Sequence, residues 1–153
     1  MKLWKTTGFS HPKNPHIHNG RLSQWLVLAS GKRQHPLARL LIFLSGCEFG
    51  IPLPATTYLP HPQGIVVGCR VSLGSHVVIG HQVTLGGRDL DIDHMPVIQD
   101  GVYLGAGCKV LGKVVVGRGA TVGANAVVTK DVPAGGVVVG ANRILEGHAS
   151  PYA

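Results

Sequence analysis

An aliphatic residue recurs every six positions from Val67 through Leu73, Ile79 and Leu85, each followed by a glycine (Gly68, Gly74, Gly80, Gly86). The series resumes at Ile98 and runs through Leu104, Val110, Val116, Val122 and Val128, with Gly105, Gly117 and Gly123 again behind aliphatic residues. A second small or branched residue stands four places after most of these: Val71, Val77, Val83, Val102, Cys108, Val114, Ala120, Ala126 and Val132. A period of six matches neither a 3.6-residue helix nor the alternation of a hairpin strand. It fits an all-β solenoid with short straight sides and tight corners, where one aliphatic side chain per side points to the axis and glycine permits the corner angles. Three sides make a round of 18 residues, and the spacing of 13 from Leu85 to Ile98 marks an insertion between two runs.

Composition agrees with this reading. The 153 residues suffice for one domain, 22 glycines and 10 prolines argue against a helical bundle, and aromatics at 5% leave the core to aliphatic side chains. No apolar run reaches the length of a membrane span, and MKLWKTTGFSHPKNPH lacks a signal-peptide apolar region. Three cysteines (Cys47, Cys69, Cys108) form no CxxC pair, which argues against a disulfide framework and for a reducing cytoplasm. Cys108 falls on an inward position and reads as a small core residue.

Three parts follow from the pattern. Residues 1–46 form a basic N-terminal segment in which SQWLVLAS (23–30) and the apolar stretch 36–46 read as short helices able to cover an open solenoid end. Residues 47–145 hold the repeats and a turn-rich exit (132–145), and 146–153 are a tail. The net charge of +7 is confined to the first part: residues 1–47 carry Lys2, Lys5, Lys13, Arg21, Lys32, Arg33 and Arg39 and no acid. Such a segment suits peripheral contact with an anionic surface; without basic–aromatic interleaving, nucleic acid is excluded as a partner.

Chemistry concentrates at two places. In LPHPQGIVVG, His61 stands between Pro60 and Pro62, which stiffen the backbone, so a free imidazole there suits proton transfer near neutral pH. The insertion, with its loop at 87–97, gathers Arg88, Asp89, Asp91, Asp93 and His94 in a chain with only seven acids. His76 and His81 also lie in the repeats, but five residues after His81 comes Gly86, so a three-histidine zinc site of the gamma-type carbonic anhydrase kind lacks a ligand and no metal is expected. That zinc reading and a non-catalytic scaffold are the alternatives to an enzyme, and His81 remains a candidate to line a groove.

The hexads resemble the hexapeptide repeat of left-handed parallel β-helix proteins. LPHPQGIVVG, HQVTLGG, the polar loop with its histidine, DGVYLGAGCKVLGKVVVGRGATVGANAVVTKDVP and the final GANRIL together resemble the serine acetyltransferase family, and its short relatives in polysaccharide synthesis. That resemblance implies transfer of acetyl from acetyl-CoA to a hydroxyl, of serine or of a sugar or polysaccharide precursor. It implies His61 as general base, Glu48 as the carboxylate that orients it, and His94 at the acceptor. It implies a backbone amide at Gly86–Gly87 for the oxyanion. It further implies a homotrimer with CoA in the groove between subunits, along Gly105–Ala106 and Gly123–Ala124, with Lys130 and Arg143 meeting its phosphates.

Overall fold

The structure, a computed structural model, describes residues 10–11, 14–88 and 93–147. A short antiparallel pair, Ser10–His11 with Asn14–His18, precedes two helices, α1 (Arg21–Gly31) and α2 (Pro36–Leu44). From Glu48 onward the chain builds three stacked sheets and visits them in turn. The first holds Glu48–Phe49, Val66–Val67, Thr84–Gly86, Lys109–Leu111 and Val127–Val128, all parallel. The second holds Ser72–Leu73, Val97–Ile98 and Val115–Val116, with Val132 bridging to Val116. The third holds Val78–Ile79, Tyr103–Leu104, Thr121–Val122 and Val137–Val139, and ends on Arg143–Ile144.

Each strand pairs with its successor one round later. Val66 faces Thr84 and Lys109 faces Val127, 18 residues on in each case. Where the insertion intervenes the separation grows, and Thr84 faces Lys109. The chain thus loops out between two strands without disturbing the register above or below.

The hexad positions are the core. Val67, Ile79, Leu85, Leu104, Val110, Val116, Val122 and Val128 are fully buried, as are the companions Val77, Val83, Val102, Cys108, Ala120 and Ala126. Each larger aliphatic contributes about 1.5–3 kcal/mol by leaving water. Leu73 is the exception, only half-buried, because Ser72–Leu73 is the first strand of its sheet and has no strand beneath it. Glycines behind the aliphatics let consecutive rounds approach: a Cβ on Gly105 would come within 2.7 Å of the Ala124 amide nitrogen. Burial pushes the Cys108 thiol up to about 12, so it stays neutral and inert.

The helices close the lower end. Asn19, Ser23 and Ser30 are buried, and their side chains bond the backbone of the first round. Asn19 Nδ2 donates to the Thr57 carbonyl at 2.7 Å, Ser23 Oγ donates to that of Leu59 at 2.6 Å, and the Leu53 amide donates to Ser30 Oγ at 2.8 Å. These bonds replace the ladder partners that a round below would have supplied. At the other end the chain turns at Gly140 and sets Arg143–Ile144 antiparallel to Val137–Val139, which ends the parallel stacking. The tail, apart from Glu146 and Gly147, lies outside the described residues.

Candidate active site

The first round departs from the pattern in two places that offset each other. Tyr58 bridges Val78, so Leu59 matches Ile79, while Val67 matches Leu85. From Ile79 to Leu85 is six residues, but from Leu59 to Val67 is eight. The side before Tyr58 is correspondingly shorter and has no strand in the second sheet. The two added residues fall in the corner that carries Pro60, His61 and Pro62. His61 therefore sits on a corner longer than those above it, and it is exposed.

This corner, between the third and first sheets, stacks as a hydrogen-bonded column. The Gly64 amide donates to the Ser45 carbonyl at 3.3 Å, Gln82 to Gln63, Gly107 to His81 and Asn125 to Ala106, each of the last three at 2.8 Å. Gly64, Gln82, Gly107 and Asn125 all have positive φ, the backbone that tightens such a corner. His81 is exposed one round above His61, with the two rings edge to face at 6.2 Å between centroids. Gly105–Ala106 and Gly123–Ala124 continue the same column upward, and Arg143, paired with Val139, stands exposed at its top. Lys109 pins the column: its Nζ donates to the carbonyls of Gln82 at 2.8 Å and Gly107 at 2.9 Å. Nothing in the sequence marks Lys109, which occupies an ordinary outward strand position.

The second corner, at the far edge of the first sheet, carries Gly86, Gly87 and the loop. A Cβ on Gly86 would meet nothing within 4 Å. Neither packing nor positive φ accounts for glycine there, unlike Gly80 or Gly105. The described end of the loop is tied down by an ion pair from Arg70 to Asp93. Beside it, Arg88, His94, Lys113 and Thr129 line an open cavity of 260 Å³, with no carboxylate in its wall among the described residues. Lys130 is exposed in the corner that follows Val127–Val128, on this same edge of the sheet. Asp89 and Asp91 lie outside the described residues.

The chain thus brings His61, His81, both Gly–Ala pairs and Arg143 to one corner, and Gly86, Gly87, His94 and Lys130 to the other. One side of the first sheet separates the groups, about 10–20 Å of extended chain. Glu48 lies on that side, exposed, facing Val66, with no hydrogen bond or ion pair to His61. His76 is on the third corner with φ 57°, its ring stacked on Tyr58 and its Nδ1 buried without a partner, away from both groups. Among the described residues no three His, Cys, Asp or Glu side chains cluster to hold a metal ion.

Residues 95–130 match the family described as bacterial transferase hexapeptide (six repeats). The chain is 34% identical to a serine acetyltransferase of Mycobacterium tuberculosis over 147 residues, covering 94% of this chain and 64% of that protein. It is 39% identical to that of Helicobacter pylori over 108 residues, covering 69% and 63%. Among solved structures, serine acetyltransferase from Brucella abortus in complex with coenzyme A superposes with a TM-score of 0.62 at 33% identity, over 80% of this chain and 53% of that one. The soybean apoenzyme superposes with a TM-score of 0.60 at 34% identity, over 81% and 56%. The chain therefore spans under two thirds of the length of these relatives. Fold, repeat and glycine-lined corners define a hexapeptide-repeat chain. Within that class it is serine acetyltransferase-like.

Proposed function

We propose that this chain is an acetyl-CoA-dependent O-acetyltransferase acting on a hydroxyl of serine or of a sugar or polysaccharide precursor. One observation carries the reading: exposed His61 stands on a lengthened corner in the same column as the small residues Gly105–Ala106 and Gly123–Ala124. The likeness to serine acetyltransferases supports it, as does the unexplained openness at Gly86. The three sheets wind as a left-handed parallel β-helix, a hand supported by the hexapeptide match.

In this reading His61 accepts the proton of the acceptor hydroxyl as that oxygen attacks the thioester carbonyl. A backbone N–H at Gly86–Gly87 donates to the oxyanion; one such donor is worth about 3–4 kcal/mol. Collapse breaks the C–S bond, and the imidazolium returns its proton to the departing thiolate. Glu48 engages the imidazole only in the loaded site, where catalytic hydrogen bonds shorten. His94 contacts the acceptor. The small column leaves room for the pantetheine arm, and Lys130 and Arg143 meet the phosphates of CoA. Because one chain holds these groups at separate corners, the complete site forms between copies, in a homotrimer that sets the His61 corner of one against the Gly86 corner of the next. The setting is the cytoplasm, where the three free thiols stay reduced.

The test is thiol release from acetyl-CoA, with serine and with nucleotide- or lipid-linked sugars offered separately. Release with one acceptor, lost by more than about 100-fold in His61→Ala, is the expected result. Near wild-type rates in that variant remove His61 as base.

A further inference from the structure

Helices α1 and α2 pack one face on the first round and leave the other bare. Trp25 and Leu28 on α1 are 60% exposed, and Leu37, Leu40, Phe43 and Leu44 on α2 are 52–77% exposed. Positions 37, 40 and 44 share one stripe of a helix, with 43 beside it, and no residue of α2 is buried. Between the helices lies a groove of 330 Å³ whose wall is apolar except for Lys32 and His35. A continuous apolar face of this kind marks an interaction surface.

The charged side chains of the two helices and their connection carry one sign. Arg21, Lys32, Arg33 and Arg39 are exposed on the same two helices and their connection. The first 47 residues hold seven Lys and Arg and not one Asp or Glu. An apolar centre rimmed mainly by cations, with Glu48 just past the end of α2, is complementary to a surface that is greasy inside and anionic outside.

We propose that the α1–α2 face docks on an anionic lipid bilayer. The six apolar side chains enter the boundary between headgroups and acyl chains, and Arg21, Lys32 and Arg39 meet lipid phosphates. The helices lie in the plane of the surface: none among the described residues is long and apolar enough to cross a membrane. A second copy fits this face less well. Pairing two such faces sets predominantly cationic rims against each other, and like-charge juxtaposition is unfavourable. The docked face is the base of the stack. Ser23 of α1 bonds the Leu59 carbonyl, two residues before His61, so docking brings the first round close to the headgroups. The proposal stands independently of acetyl transfer.

The experiment is flotation of the full chain with phosphatidylglycerol or phosphatidylcholine vesicles. Emission from Trp25 is followed in a W4F background. Wild type floats with phosphatidylglycerol only, Trp25 emission shifts to the blue, and about 1 M salt releases the protein. The exposed double variant L40S/F43S keeps the wild-type circular dichroism and thermal transition and binds about tenfold or more weakly. Arg39→Glu also weakens binding to phosphatidylglycerol. Equal partition into both vesicles, or undiminished binding by L40S/F43S, overturns the proposal. So does a wild type that fails to float with phosphatidylglycerol; dissociation of its oligomer in L40S/F43S then assigns the face to a second copy.

Discussion

The round that holds His61 and the rounds above it share one register yet differ in regularity. Ile98, Leu104, Val110, Val116, Val122 and Val128 repeat without interruption and are at most 1% exposed. The first round has a shortened side, a lengthened corner and no strand in the second sheet. Asn19, Ser23 and Ser30 satisfy its backbone from outside the repeat. Perfect repetition fills an axis and makes identical corners, none of which projects a side chain differently from its neighbours. The added residues set His61 on a corner unlike that of His81 one round above, and the helices supply hydrogen bonds that a round below would have given.

That contrast is open to direct attack. In the regular rounds Leu104→Ala should lower stability by about 2–5 kcal/mol, because rigid stacking above and below prevents collapse of the cavity. Urea unfolding reads this, and a loss under 1 kcal/mol would mean the stack relaxes more than its register suggests. In the irregular round His61→Ala should do the opposite. Its urea midpoint should stay within about 0.5 kcal/mol of wild type, since the ring is exposed. A large destabilisation there would recast the lengthened corner as structural.

Two glycines sharpen the same division. A methyl at Gly105 has to displace backbone at 2.7 Å, whereas one at Gly86 enters open space. Gly105→Ala should lower the melting temperature by several degrees, about 1–3 kcal/mol for overpacking. Gly86→Ala should leave melting unchanged and, if the proposed oxyanion donor lies at this turn, lower acetyl transfer by about tenfold or more. Equal melting losses in both variants would erase the distinction.

Cysteines provide the smallest effect. Cys69 is exposed and Cys108 buried, so a thiol reagent should label Cys69 in the native protein and reach Cys108 only on unfolding. Burial raises the folded Cys108 thiol from 9.0 to about 12. A raised folded value leaves stability intact below pH 9 and removes it as pH rises toward 12, by about 1.4 kcal/mol per unit. Cys108→Ala should flatten that slope; an unchanged slope would assign the alkaline loss to other groups, among them Tyr58, whose hydroxyl burial also raises.

The hexads made the core legible residue by residue, because in stacked rounds each inward position depends only on its own period. Leu73 escaped that logic, since burial at a rim depends on what lies beneath. His61 stood out between its prolines, and the TLGG segment was singled out only by its resemblance to the serine acetyltransferase family. Lys109, which holds the corner column, carried no mark, because its role lies in reaching two carbonyls from neighbouring rounds.

Period and glycine placement by themselves determined the three-sided stack, its buried axis and the position of the inserted loop, since those follow from local spacing. Only the tertiary structure decided that His61 and Gly86 occupy opposite edges of one sheet, and that two short helices leave an apolar face uncovered. The first depends on the two residues added at the His61 corner and the second on how the helices seat against the first round, and neither feature lies within the repeat.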